Sequence, residues 1–265
     1  MPTALVPMSR LSARRLWSLA RAESTILLRN PPALMSALGL PLFMTFIYTM
    51  LQVGGLSSGM RLTTVLISSC LLFVVYYTMV SSLVARREQF VLKRLYAGEA
   101  TPLEILLAPA FPLVVLLVIQ VACGLGGSIV LGAIPQHGWA LLLAVVGGAA
   151  TWTALAVVSA SHTRTVESAQ FTTMPLILVA MAASGFSFPL DALPVPLEWL
   201  AHWLPMTPVV DLIIFAFTGT SPNGEPLDDP LSVAGGIFGM LAPLAAWCLG
   251  SMALARRVFR WDPRN

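Results

Sequence analysis

The chain has 265 residues, 57% of them hydrophobic and 10% charged, with a mean hydropathy of +0.83. Soluble globular domains carry about 25% charged residues, so this composition excludes a soluble enzyme or binding module and points to an integral membrane protein. The net charge of +3 and a pI near 9.0 come from basic residues beside apolar runs, where they set topology and meet anionic lipid headgroups; nothing in their placement calls for nucleic acid.

The apolar runs are long and continuous rather than short and alternating, which favours membrane helices over a β-barrel. The expected fold class is therefore all-α and integral to the membrane. It has six transmembrane helices, an N-terminal interfacial helix and a re-entrant outer helical hairpin before the last span. Residues 1–30 read as a tail and interfacial helix, and residues 31–265 as the six-helix transmembrane domain.

Residues 1–9 are a loose tail. Over 10–29, Leu11, Trp17, Leu19, Ile26, Leu27 and Leu28 are set among five arginines and one glutamate, a pattern suited to a helix lying in the membrane interface. The same arginines argue against a signal peptide. Asn30-Pro31-Pro32 breaks that helix and starts the first span, about 32–53, with Asn30 available as N-cap. Gly54-Gly55-Leu56-Ser57-Ser58-Gly59 is a short turn, and the second span covers about 61–85.

A charged island follows, from Arg86 to Glu104, and it holds the only lysine in the chain, Lys93. Phe90, Val91 and Leu95 recur at helical spacing while Arg86, Arg87, Lys93 and Arg94 supply a polar side, so residues 86–97 read as a short amphipathic helix at the membrane surface. Gly98 suits a left-handed residue after it, and Thr101-Pro102-Leu103-Glu104 reads as a capping box opening the next helix. On charge alone, the island fits a plain topology-setting loop equally well.

The third span covers 102 to about 133, with a break or kink expected at Pro109 and Pro112. Pro135-Gln136-His137-Gly138 is a tight turn, the fourth span is about 139–160, residues 161–170 are a polar loop, and the fifth span is about 171–188. The segment 189–230 is too proline-rich for one helix and too apolar for a simple loop. It reads as two short helices that dip into the outer leaflet and return, about 189–218. The last span is about 231–255.

With the N-terminus inside, fourteen of the fifteen basic residues fall in the cytoplasm and only Arg61 lies outside. The outer segment after the fifth span carries Asp191, Glu198, Asp211, Glu225, Asp228 and Asp229 with no lysine or arginine. The positive-inside rule selects this orientation, with both termini cytoplasmic.

Lys93 lies between Leu92 and Arg94, so no Gly-x-x-x-x-Gly-Lys loop exists and the chain cannot bind ATP through one. His137, His162 and His202 are isolated, Cys70, Cys123 and Cys248 lie in apolar runs without metal-ligand spacing, and the serines lack an ordered histidine and acid. No metal, cofactor or catalytic residue is expected in this chain. Gln120 and Asp211 are the polar residues embedded in apolar segments. Gln120 fits an interhelical hydrogen bond or a functional site, and the scarcity of embedded carboxylates argues against an ion-coupled carrier.

Arg87-Glu88, the apolar and basic turn to Leu95, the small-residue break and Pro102-Leu103-Glu104-Ile105-Leu106-Leu107 resemble the segment after the second membrane helix in permeases of the ATP-binding cassette type-2 exporter family. Phe188-Pro189 through Leu204-Pro205-Met206-Thr207-Pro208 is similar to that family's outer signature, with Leu204-Pro205 where Asn-Pro is frequent. The resemblance implies a permease subunit that pairs with a second copy or a homologous permease and works with separate nucleotide-binding subunits carrying ATP and Mg.

It further implies export of drug-like, lipid-like or glycan substrates; the lack of a signal-peptide or organellar transit pattern suits a bacterial plasma membrane. In this frame residues 86–98 are the coupling helix: Arg86, Arg87, Glu88, Lys93 and Arg94 supply charged contacts to the ATPase, and Phe90 and Leu95 supply apolar anchors. The interfacial helix would also touch the partner. Phe73, Tyr76, Tyr77, Gln120, Met174, Met181 and Phe186 are the candidates for a substrate path, although such a stripe also serves as packing. A membrane scaffold without transport, or an ion-coupled carrier, are the alternative readings.

Overall fold

A computed structural model describes residues 12–52, 56–98, 100–187, 190, 193–221, 224–227 and 229–259. The expectations for the tail at 1–9, Arg10, Leu11, Gly54-Gly55, Glu99, Phe188-Pro189, Asp191, Asp228, Arg260 and Arg264 fall outside the described residues.

The described residues form a helical protein without strands; Thr220 and Pro226 make an isolated β-bridge. The elements are α1 (Ala13–Leu28), α2 (Pro31–Met50), α3 (Ser58–Ser69), a π-helical segment (Cys70–Tyr77), α4 (Thr78–Glu88), α5 (Val91–Tyr96), α6 (Pro102–Leu107), α7 (Ala110–Val130), α8 (Gly138–His162), α9 (Val166–Ala182), α10 (Val195–His202), α11 (Thr207–Thr218) and α12 (Pro230–Val258). Five helical stretches among them are long and apolar enough to cross a membrane: Pro31–Met50, Ser58–Glu88, Pro102–Val130, Gly138–His162 and Pro230–Val258. This is the all-α integral membrane architecture the composition requires.

The rod Ser58–Glu88 is apolar all round in its middle, the signature of a helix surrounded by other helices. It is the axis of the bundle. From Val65 to Tyr76 every residue is buried, and α2, α7, α8 and α11 pack against it. Its centre widens into the π-helical segment, where the Thr78 hydroxyl donates to the Phe73 carbonyl at 2.8 Å. In contrast, few residues of α2 and α12 are buried.

Local signals fix the helix starts. The Asn30 side chain accepts from the Ala33 amide at 3.2 Å ahead of Pro31, and Asp229 accepts from Ser232 at 3.2 Å ahead of Pro230. As expected from Pro109, the third span is broken, into α6 and α7. α10 and α11 form the expected pair, bent by 80°. α11 is buried along most of its length, and the His137 ring stacks on Phe215 at 4.9 Å where the turn before α8 meets it.

Two boundaries differ from expectation. The fifth apolar helix is Val166–Ala182 rather than 171–188, because Thr165 and Ser168 form a reciprocal capping box that starts it inside the supposed polar loop. Residues 86–97 are not one helix: α4 runs on to Glu88 and the chain turns before α5. The left-handed residue of this region is Phe90, with φ 58°, and not Gly98.

Candidate functional site

The charged island lies where α1, α4, α6 and the end of α8 converge. Arg86 and Arg87 occupy the last turn of α4, where cations favour the helix dipole. The Arg86 guanidinium pairs with the Glu23 carboxylate of α1. Arg87, next in sequence, turns inward and is only 1% exposed. Its Nη1 donates to the Ala160 carbonyl at 2.8 Å, and its Nη2 donates to the Thr163 carbonyl. Ala160 lies in the final turn of α8, where carbonyls have no intrahelical partner, so Arg87 caps a helix far away in sequence.

Past Arg87 the chain turns outward. The Gln89 amide donates to Ala85 and the Phe90 amide to Arg87, both at 3.1 Å, which closes α4. Phe90 then takes the left-handed conformation that glycine would adopt without strain, at a cost of roughly 1 kcal/mol. Its ring is 53% exposed, while Leu92, two residues on, is fully buried. Glu88, Gln89, Lys93 and Arg94 are exposed and Leu95 is half-buried. The island is thus divided: Arg86, Arg87 and Leu92 tie it to the bundle, and Glu88, Phe90, Lys93 and Arg94 lie exposed, the Arg94 guanidinium donating to the Gln89 carbonyl at 3.2 Å.

At its far end stands Glu104. It completes the expected capping box, with the Glu104 amide donating to Thr101 Oγ1 at 3.2 Å and the Thr101 amide donating to Glu104 Oε2 at 2.8 Å. The same buried carboxylate accepts the Ser12 amide at 2.6 Å and faces the Arg15 guanidinium at 3.4 Å. Ser12 and Glu23 lie roughly 16 Å apart along α1. α1 is therefore fastened to both ends of the island, at Arg86 and at Glu104. Sequence reading found Glu104 as a cap but missed its bond to α1. Glu23 has no local partner in sequence, and its being the only acid in an arginine-rich helix is the one signal of its pairing with Arg86.

The candidate path residues separate as well. Phe73, Tyr76, Gln120 and Phe186 are buried within the chain. The Tyr76 hydroxyl shares a hydrogen bond with Ser159 Oγ at 2.8 Å, and its ring meets Trp152 edge-on at 5.4 Å. Gln120 Nε2 donates to the Ala37 carbonyl at 3.2 Å while its oxygen accepts from Cys70 Sγ at 3.4 Å, joining α7, α2 and the π-helical segment. Phe186 lies 6.2 Å from the Tyr48 ring. Tyr77, Met174 and Met181 are half-buried, as are His202 and Asp211. Among the described residues, no group of three or more His, Cys, Asp or Glu side chains is placed to hold a metal.

A protein-family model described as "ABC-2 type transporter" matches residues 14–218, from the first turn of α1 to the end of α11. A comparison with curated proteins finds no match.

Proposed function

The chain belongs to the ABC-2 type transporter family and is a transmembrane permease component of ABC-type transport, not itself a catalyst; from that premise we propose that it is an exporter subunit driven by ATP hydrolysed, with Mg, on a separate nucleotide-binding subunit. That subunit docks on the cytoplasmic side against Glu88, Phe90, Lys93 and Arg94.

The observation that carries this reading is the division of the charged island. A loop that only sets topology needs net positive charge and no particular internal bonding. This one is braced by Arg87 on α8, by Arg86 on Glu23 and by Glu104 on Ser12 and Arg15, while Glu88, Phe90, Lys93 and Arg94 lie exposed. A push on Phe90 passes to α4 through the turn at Gln89, and to α8 through Arg87, as a rigid-body displacement of packed helices.

We place the protein in a bacterial plasma membrane with both termini inside, working with a second copy or a homologous permease. The substrate is an amphipathic drug-like or lipid-like compound. Tyr77, Met174 and Met181 keep exposed surface and are the members of the aromatic and methionine set we assign to its path; polarizable, adaptable side chains suit varied apolar ligands.

The test is co-expression with candidate ATP-binding subunits and purification through a tag on this chain. Co-purified ATPase activity is expected with the wild type and at least a tenfold loss with Phe90→Ala or Glu88→Ala, with the thermal midpoint of the permease unchanged. Retention of full activity by both variants would remove the docking assignment.

A further inference from the structure

The clamp uses one face of α1, and the opposite face carries a pattern of its own. Arg14, Ser18, Arg21, Thr25 and Arg29 recur at intervals of four, three, four and four residues, which draws one line down the helix. All five are exposed, and the buried Ala20 and Glu23 lie on the other side. Glu23, the one acid of α1, is turned away and paired with Arg86, so nothing on this line offsets the three arginines.

Ser18 and Thr25 donate their hydroxyls back to the carbonyls of Arg15 and Arg21, at 2.9 and 3.0 Å. Small side chains folded onto the helix leave room between the long ones. Two open grooves result: one of about 480 Å³ between Arg14 and Arg21, floored by Ser18, and one of about 660 Å³ between Thr25 and Arg29, reaching Pro31.

The depth of the helix is fixed by its neighbours. Trp17 meets Phe111, the second residue of α7, edge-on at 5.4 Å, and α1 passes directly through Asn30 into α2. Both ends of α1 therefore lie at the level where a membrane span begins. Trp17, Ile26 and Leu28 are each more than half exposed on the flanks of the arginine line. Tryptophan and arginine side by side at that level suit the headgroup region, with the arginine stems lying along apolar surface and the guanidinium groups reaching phosphate.

We infer that this line is a binding track for anionic phospholipid, whose phosphate sits in the grooves against Arg14, Arg21 and Arg29 while its acyl chains lie beside Trp17 and Leu28. The three positive charges beside Trp17, unpaired among the described residues and at the level where a span begins, match a phosphate headgroup with acyl chains attached. The inference rests on the placement of α1 at the membrane interface and does not depend on the ATPase assignment.

The test uses the full-length chain reconstituted into nanodiscs containing equal amounts of phosphatidylglycerol and phosphatidylcholine. After detergent exchange, the ratio of the two lipids retained is measured by mass spectrometry. The wild type is expected to be enriched in phosphatidylglycerol, and the triple variant Arg14→Gln/Arg21→Gln/Arg29→Gln to lose that enrichment, by about fivefold for each arginine at low salt. The corresponding triple lysine variant, which keeps the charge, is expected to retain most of it. Added glycerol phosphate should not displace the lipid.

An unchanged ratio in the glutamine variant would overturn the inference. So would full displacement by glycerol phosphate, which would mark a site for soluble anions. Loss of co-purified ATPase with an unchanged lipid ratio would assign the face to a protein partner, and it too would overturn the inference.

Discussion

Arg87 and Glu88 are consecutive residues with opposite surroundings: the arginine is enclosed by the end of α8, and the glutamate stands clear of the bundle. The same contrast holds between Leu92, fully buried, and Phe90, largely exposed. Two kinds of side chain are thus interleaved within one short stretch, one kind buried against the bundle and the other exposed at its surface. If that division is functional, changes on the inner side should cost stability, and changes on the outer side should cost coupling and leave stability alone.

The largest effect is expected at Arg87. Truncation to Ala leaves the Ala160 carbonyl and the Thr163 carbonyl in a closed environment without their donor, and removes the packing of a long side chain. A loss of about 3 kcal/mol is expected, read as a lowered thermal midpoint in detergent. Arg87→Lys should recover part of it, since one ammonium can reach one carbonyl. A midpoint unchanged in Arg87→Ala would mean that the inner side is not a brace.

Glu104 comes next. Glu104→Ala removes half of the capping box and the acceptor for the Ser12 amide, and should cost about 1–2 kcal/mol. It should also free the start of α1, read as faster amide exchange near Ser12 with little change at Glu23. Equal acceleration at both ends would show that α1 is held by something other than the two separate fastenings.

How far these roles can be read from sequence depends on the distance over which each is determined. The capping box at Thr101 and Glu104 is legible because its partners are three residues apart, and the break at Pro109 because proline acts on its own backbone. The second span is legible as a long apolar run, but that it is the buried axis of the bundle depends on the helices packed round it.

The turn at Phe90 is not legible. Glycine at 98 is the better local candidate for a left-handed residue, but the direction of the chain is set by Arg87 reaching carbonyls at Ala160 and Thr163. The second role of Glu104 depends in the same way on Ser12 and Arg15. Aromatic spacing alone does not reveal that Tyr76 is buried, because its contacts, Ser159 and Trp152, lie on a helix distant in sequence.

A change at Phe90 should separate the two sides by sign. Phe90→Gly relieves the left-handed strain, which should raise stability by roughly 1 kcal/mol less whatever the added unfolded-state freedom of glycine takes back. The same variant deletes the exposed ring and should lose the partner ATPase at least tenfold. A Phe90→Gly destabilised by more than about 1 kcal/mol, beyond what glycine's unfolded-state freedom accounts for, would mean that the ring packs on the bundle, and the boundary between the two sides would have to move outward past residue 90.

The smallest effect on stability is expected at Glu88, and for that reason it is the sharpest probe of the outer side. Its carboxylate lies in the last turn of α4, where a negative charge is disfavoured by the helix dipole. Replacement by Ala should therefore leave stability within about 0.5 kcal/mol, or raise it slightly. Among the described residues, nothing in the fold calls for an acid there.

If Glu88 meets a basic residue of the nucleotide-binding subunit, the wild-type complex should weaken as salt rises, and Glu88→Ala should be both weaker and less salt-dependent, because a rim charge acts mainly through screened electrostatics. A salt dependence identical in wild type and Glu88→Ala would place Glu88 outside the contact and leave Phe90, Lys93 and Arg94 to carry it.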